Sequence, residues 1–154
     1  MIKTVKYFKN RNKHKFKQSL YIDKFNFNVF GIQCKTESQL YDHFKSELDF
    51  ADYFGRNWDA LIDCLSDFCW LITDKITLNI NEIEYFLVDE PEKRDVFFRI
   101  LFNRIEEHWK DVEFEDPDDY VTLNLVFNVT PENEKLINNL FNQYNIIESD
   151  IKEL

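Results

Sequence analysis

Alternating apolar and polar residues predict three strands along the chain. YVTLNLVFNV at 120–129 shows the pattern most clearly, and FNFNVFGIQ at 25–33 and KITLNI at 75–80 share its period of two. The apolar face of the 120–129 strand consists of Val121, Leu123, Leu125 and Phe127. The N-terminal IKTVKYF also alternates, so we expect a short strand or a loose arm there, followed by a basic loop.

Apolar residues at helical spacing predict helices between these strands. Thr36 and Gln39 have the spacing of a capping box and open a helix over 37–49. Asn57 is a good N-cap for a second helix over 57–68. The apolar stripe of that helix consists of Trp58, Leu61, Ile62 and Leu65. Three more helices are expected: from Asn81 to about Val88, over 92–110 after Pro91, and from Pro131 to about Tyr144 with Thr130 as N-cap.

The resulting order of elements is β-α-α-β-α-α-β-α, with the N-terminal strand or arm in front. Strands that are separated by helices usually pair in parallel, because the crossover returns the chain to the same end of the sheet. We therefore expect an α/β fold. The 154 residues fit one domain, which we place at 25–154, with 1–24 as a basic N-terminal extension.

Charge is distributed unevenly along the chain. Residues 1–24 hold eight Lys or Arg and one acid (+7), whereas residues 25–154 hold eleven Lys or Arg and 28 acids (−17), which gives the net charge of −10. Residues 25–154 are so acidic that they repel nucleic acid and attract basic partners. We interpret the basic segment as a solvated lead-in that offsets the charge of the body, and we expect no binding to nucleic acid.

Cysteine usage and hydropathy favour a cytoplasmic protein. The chain has no apolar run near the roughly 18–20 residues that span a membrane, and its basic N-terminus has no apolar signal core. Its three cysteines are an odd number without the spacing of a disulfide framework or a zinc site. We take Cys34, Cys64 and Cys69 to be free thiols in a reducing compartment, and we interpret Cys64 and Cys69 as small buried hydrophobic residues.

Sequence signatures of enzymes are missing. The chain has only 2 glycines, and it contains no dinucleotide-binding, phosphate-binding or nucleophile-elbow motif. His14, His43 and His108 are isolated, and no spacing suggests a Cys-His pair. We therefore expect no enzymatic activity and no cofactor.

Three carboxylates spaced four residues apart are the most unusual local feature. In a helix Asp59, Asp63 and Asp67 share one face, where like charges repel by a few tenths of a kcal/mol per pair. Asp67 also lies near the negative end of the helix dipole. The row could be a solvated face, a surface for a basic partner, or a Mg²⁺ site of a metal-dependent hydrolase. A second acidic segment, 112–120, lacks the pattern of an EF-hand loop, so we expect a solvated loop there.

The order of residues around this row resembles the barstar family, intracellular inhibitors of the secreted ribonuclease barnase. The segment YFGRNWDALIDCL at 53–65 is similar to the family pattern Y-[YF]-G-x-N-x-D-A-L-x-D-C-L. The helix before it aligns without a gap, including Leu40 and the pair Glu47-Leu48, and Gly31 falls where the first strand of the family ends. The match extends more loosely to about residue 105.

This resemblance implies a three-stranded parallel sheet packed with helices, to which this chain adds a C-terminal helix and the N-terminal extension. It also implies one-to-one inhibition, in which the second helix and the loop before it block the nuclease active site. By position, Tyr53 is the aromatic residue that covers the catalytic groups, Asp63 the central acidic anchor, and Asp59 the second carboxylate. Gly55 and Asn57 fix the loop and start the helix.

Other positions depart from the short type member of the family. Ile62 and Phe68 stand where it has tryptophans at the interface, and Asp67 has no acidic counterpart. Arg56 replaces an acid, which suggests a partner with an acid facing Arg56. A further acid of the family lies on the later helix, where Glu106 or Glu107 would correspond.

The leading hypothesis is an immunity-type inhibitor, or antitoxin, that binds a basic, barnase-like ribonuclease without metal or cofactor. Carboxylates placed where phosphates would lie can bind the Arg, Lys and His side chains of such an enzyme. Barnase and barstar are themselves standard examples of electrostatic steering and charged hot spots. The first alternative is a barstar-like module that masks another basic, non-ribonuclease partner. The second is the metal-dependent hydrolase named above.

Overall fold

One mixed sheet of four strands organises the computed structural model of the chain. The structure describes residues 2–10, 24–68, 75–110 and 120–146. At 2, 4–10, 24, 67, 108–110, 120 and 121 it describes the backbone alone. The strands are β1 (Ile2–Asn10), β2 (Lys24–Phe30), β3 (Lys75–Asn81) and β4 (Tyr120–Asn128), arranged in the order β1-β4-β3-β2. β2, β3 and β4 run in parallel, which confirms the predicted α/β fold with a three-stranded parallel sheet.

The N-terminal segment forms the fourth strand. β1 runs antiparallel to β4, from the pair Ile2 and Asn128 to the pair Asn10 and Tyr120. Of the two forms expected for this segment, the strand is therefore the one observed, and it lies at an edge of the same sheet. The predicted basic loop after it falls at 11–23 and lies outside the described residues.

The described helices are α1 (Glu37–Leu48), α2 (Trp58–Asp67), α3 (Arg94–Arg99), α4 (Ile105–Lys110) and α5 (Glu134–Gln143). A π-helical stretch, Ile100–Arg104, joins α3 to α4, and a 3-10 turn at Pro91–Lys93 leads into α3. The predicted helix over 92–110 is thus one helical run with a wide turn in its middle. Among the described helices, none is both long and apolar enough to cross a membrane.

The helix predicted from Asn81 to Val88 is wrong. Asn81 ends β3, and only a 3-10 turn, Ile83–Tyr85, follows it. The backbone N–H of Leu87 donates 2.7 Å to the carbonyl of Cys34, in the segment after β2, and Leu87 has a left-handed φ of 58°. A backbone that bonds to another segment cannot complete the i to i−4 bonds of a helix.

The last helix begins three residues later than predicted. Residues 131–133 form a turn in which the amide oxygen of Asn133 accepts from the backbone N–H of Thr130 at 2.8 Å. The amide nitrogen of Asn133 donates to the carbonyl of Asn128 at 3.1 Å. The hydroxyl of Thr130 makes no hydrogen bond to a described residue, so the prediction of Thr130 as N-cap is wrong.

The core lies between one face of the sheet and the helices. On that face the fully or almost fully buried residues are Val29, Ile76, Leu78, Ile80, Leu123, Leu125 and Phe127. The opposite face of β2 and β3 is mostly polar, although Phe30 is also exposed there. On this face the side-chain amide of Asn79 donates to Asn26 and to the carbonyl of Phe27. Cys34 is buried in the core, and burial raises the pKa of its thiol. Cys64, which was predicted to be buried, is only partly buried against the core, and Cys69 lies outside the described residues.

Candidate partner-binding site

The N-terminus of α2 is fixed by Asn57. Its side-chain oxygen accepts from the backbone N–H of Ala60 at 2.8 Å, which confirms the predicted N-cap. Its side-chain nitrogen donates to the carbonyl of Gly55 at 3.2 Å. One side chain therefore sets both where α2 begins and how the preceding loop enters it.

The two faces of α2 differ sharply. Leu61 and Leu65 are fully buried in the core, whereas Asp59 and Asp63 are exposed. Neither carboxylate forms an ion pair with a residue that the structure describes. Asp67 is the last residue of α2, and its side chain lies outside the described part of the chain. Within the described part of the chain, two carboxylates of the row are thus exposed and without an ion-pair partner.

The loop before α2, residues 49–57, is anchored by aromatic side chains and is called the recognition loop below. Phe50 and Phe54 are buried, with their ring centroids 4.9 Å apart. Phe54 also meets the ring of Tyr41 from α1 edge-on at 5.9 Å. The backbone N–H of Phe54 donates to the carbonyl of Ala51 at 2.9 Å and closes a turn. Contacts of this kind hold a loop in one conformation.

Tyr53 lies in the middle of this turn and points into solvent. Its side chain is 89% exposed, although its neighbour Phe54 is buried. An aromatic ring left in water on a fixed backbone loses little conformational freedom when a partner covers it. Tyr53 is therefore presented for contact rather than for the core.

Arg56, just before α2, bonds within its own chain. Its guanidinium pairs with the carboxylate of Asp42 and donates to the hydroxyl of Ser38 at 3.1 Å, both residues of α1. It also lies 6.0 Å from the ring centroid of Tyr41. The sequence had suggested an acid on a partner facing Arg56, but the structure supplies that acid from α1. Asp42 and Ser38, spaced four apart on one helix face, are site residues that the sequence analysis missed.

Tyr41 connects the recognition loop to the rest of the fold. Its hydroxyl donates to Glu37 at 2.7 Å, and Glu37 pairs with Lys93 at 2.8 Å. Burial and then the bond to Glu37 raise the pKa of Tyr41. Burial opposes ionisation of Glu37, but the bonds from Lys93 and Tyr41 outweigh it and lower the pKa of that carboxyl. The ring of Tyr41 also meets Trp58 of α2 at 5.5 Å, so it supports both sides of the site.

The family model described as Barstar (barnase inhibitor) matches residues 25–124, which are 100 of the 154 residues. The chain belongs to the barstar family. The match spans β2, α1, the recognition loop, α2 and β3, and it ends within β4. β1 and α5 lie outside it, which agrees with the extensions expected at both ends.

One curated relative is also named as a ribonuclease inhibitor. The chain is 46% identical to the "Putative ribonuclease inhibitor YrdF" of Bacillus subtilis strain 168 over 57 residues. That segment is 37% of this chain and 59% of the relative, so the chain matches about three fifths of the relative's length.

Two residues expected at a barstar-type interface belong to the core here. Phe68 is fully buried and ends α2 with a left-handed φ of 48°. Ile62 is buried almost as completely, on the same side of α2 as Leu61 and Leu65. Both side chains hold α2 against the fold, and neither offers a surface to a partner in this structure.

The later helix of this barstar-family fold carries two candidate acids. On α4, Glu106 is half-buried, whereas Glu107 is exposed. Oε2 of Glu107 lies 3.9 Å from Nε of Arg104. α4 packs against α2, so either acid could extend the acidic surface. Their part in binding stays a prediction. Among the described residues, no three or more His, Cys, Asp or Glu side chains are arranged to hold a metal ion.

Proposed function

We propose that the protein is a ribonuclease inhibitor that binds a basic, barnase-like ribonuclease one-to-one and blocks its active site. In this proposal it is a binding protein and not an enzyme, and it acts as an immunity protein in the cytoplasm. Membership of the barstar family and the name of the Bacillus subtilis relative support the target class.

The observation that carries the proposal is the exposed Tyr53 on an anchored loop that leads into α2, whose exposed Asp59 and Asp63 form no ion pair with a described residue. A ribonuclease binds RNA phosphates through Arg, Lys and His side chains. Carboxylates in the same places form charge-assisted hydrogen bonds with those groups, and a tyrosine ring can cover them and exclude water.

The remaining site residues have supporting roles in this proposal. Asn57 and Gly55 fix the path by which the recognition loop enters α2. Asp67 adds negative potential beyond the two anchors. The net charge of −10 speeds the encounter with a basic nuclease, because opposite charges steer the partners together.

The test is an inhibition assay with a barnase-type ribonuclease and RNA. The wild-type protein in excess should abolish cleavage, and the inhibition should weaken as salt is raised. Asp63→Ala should weaken inhibition by at least about 30-fold, as expected for a central hot spot. Asp63→Asn removes the negative charge but keeps the shape of the side chain, so it separates these two effects. Glu132→Ala, which removes an exposed acid before α5, is the matched control and should leave inhibition unchanged.

An uninhibited nuclease at excess protein would sink the ribonuclease proposal. Salt-sensitive binding to a different basic protein, lost in Asp63→Ala, would then favour the masking alternative. Calorimetric titration with Mg²⁺ and Mn²⁺ tests the hydrolase alternative. If Asp59, Asp63 and Asp67 bind a cation, the titration should give saturable heat, and the absence of such heat would exclude this alternative.

A further inference from the structure

Arg56 occupies a backbone conformation that arginine does not favour. Its φ of 51° lies in the left-handed region, where a side chain crowds its own backbone. Such a conformation persists only when the surrounding contacts fix it. The contacts that do so here come from the side chain of Arg56 itself.

Three groups of α1 accept hydrogen bonds from the guanidinium of Arg56. Asp42 supplies a carboxylate, and Ser38 supplies its hydroxyl at 3.1 Å and its backbone carbonyl at 3.4 Å. The face of Tyr41 lies 6.0 Å away. The positive charge is thus compensated by an anion and shared among oxygen acceptors within the chain.

These contacts lie at the end of the recognition loop, where it enters α2. Arg56 lies between Tyr53, the exposed aromatic residue, and Asn57, the N-cap of α2. A bond from Arg56 to α1 therefore ties the exit of the recognition loop to a helix that is itself packed in the core. The buried rings of Phe50 and Phe54 hold the other part of the same loop.

We propose that Arg56, Asp42 and Ser38 form a clamp that positions the recognition loop before any partner arrives. Arg56 is then a positioning residue rather than a contact residue. Its effect on inhibition rests on the ribonuclease-inhibitor function proposed above, whereas its effect on the loop does not. A loop that is already ordered loses less conformational freedom on binding, so the clamp tightens the complex.

Two variants remove the two ends of the clamp. Asp42→Ala removes the anion without altering the left-handed residue, and Arg56→Asn removes the cation with a residue that tolerates this conformation. Each should weaken inhibition of a barnase-type ribonuclease by about three- to tenfold, within the range of an exposed ion pair supported by further hydrogen bonds. The double variant should weaken it no more than either single one. The charge-swapped pair Asp42→Arg with Arg56→Asp should restore part of the loss, because it remakes the ion pair but leaves the Ser38 carbonyl without its donor.

Hydrogen exchange reports on the loop without any nuclease. Asp42→Ala and Arg56→Asn should both speed exchange of the Phe54 amide, whose N–H closes the turn to Ala51. The amide of Leu78, in the buried strand β3, should exchange as in the wild type. Faster exchange at both amides would mean general destabilisation and would overturn the clamp.

The opposite assignment, Arg56 as a contact to an acid on the partner, gives a different pattern. Asp42→Ala would then release Arg56 and leave inhibition unchanged or tighter, whereas Arg56→Asn alone would weaken it. That result, with unchanged exchange at Phe54, would overturn the proposal. If the wild-type protein inhibits no ribonuclease, the proposed function fails, and the exchange of the Phe54 amide still decides whether the clamp exists.

Discussion

At the scale of single residues, Gly31 occupies a position with no room for a side chain. It is buried at the end of β2, and a Cβ there would lie 1.9 Å from the carbonyl oxygen of Glu82 and 3.0 Å from the ring of Phe86. The first of these is a backbone atom, which cannot rotate away. Glycine is required at position 31 because another segment of the backbone lies too close for a Cβ atom. Its φ is not positive, so its conformation alone does not require glycine.

We expect Gly31→Ala to destabilise the protein by about 2–4 kcal/mol, because the segment after β2 must move away from Glu82. Gly55→Ala is the matched control. At Gly55 the nearest atoms to an added Cβ are the side-chain nitrogen of Asn57 at 3.2 Å and Cβ of Ala60 at 3.4 Å, so the cost should stay below about 1 kcal/mol. Urea unfolding measures both, and equal costs would contradict the steric account.

At the scale of elements, one histidine joins α1 to the edge strand β2. Nε2 of His43 accepts a hydrogen bond from the backbone N–H of Phe30 at 3.0 Å, which requires a neutral ring. Burial lowers the pKa of His43, and the nearby carboxylate of Glu47 opposes that shift only in part. Protonation would remove the acceptor and leave two donors facing each other.

This contact predicts a dependence of stability on pH. The pKa of folded His43 lies below the value of 6.5 for the free side chain, so the unfolded chain takes up the proton first as pH falls through 6.5. The contribution of His43 to stability is therefore fully present above that pH and is lost below it. His43→Gln keeps an acceptor oxygen but no titrating group. Urea unfolding at about pH 7.5 and 5.5 should show a smaller loss for this variant than for the wild type. An equal loss in both would contradict the assignment.

At the scale of the whole molecule, two elements outside the family match, β1 and α5, are joined to the rest of the fold. Nζ of Lys3 in β1 donates to the side-chain oxygen of Asn138 in α5 at 2.5 Å and lies 5.7 Å from the ring centroid of Phe141. Phe141 in turn packs edge-on against Phe127 of β4 at 5.5 Å. β1 and α5 thus contact each other and cover the β4 side of the sheet.

Removing residues 1–10 should lower the free energy of unfolding by at least about 2 kcal/mol, since β4 would lose a pairing partner along its whole length. Lys3→Ala removes only the contacts to α5 and should cost about 1 kcal/mol. An unchanged urea midpoint in the truncated chain would instead support the division predicted from sequence, in which 25–154 is a domain on its own.

Local patterns determined much of the fold and the surface of α2. Caps at Thr36 and Asn57 act within one helical turn, and strand alternation acts along one strand, so each is readable without knowing the rest of the fold. The exposed side of α2 with Asp59 and Asp63 follows from the same periodicity. The segment 53–65 also carried the resemblance to the barstar family, which the match over 25–124 confirms.

The tertiary structure decided what depends on contacts between distant segments. Leu87 bonds to Cys34 and so prevents the helix predicted at 81–88. Arg56 meets Asp42, fourteen residues earlier, and this pairing changes it from an expected partner contact to a proposed clamp. Phe68 is an apolar residue that could cover a partner or fill the core, and only packing shows that it fills the core. A local pattern gives the chemistry of a side chain, but its neighbours in space determine which role that chemistry serves.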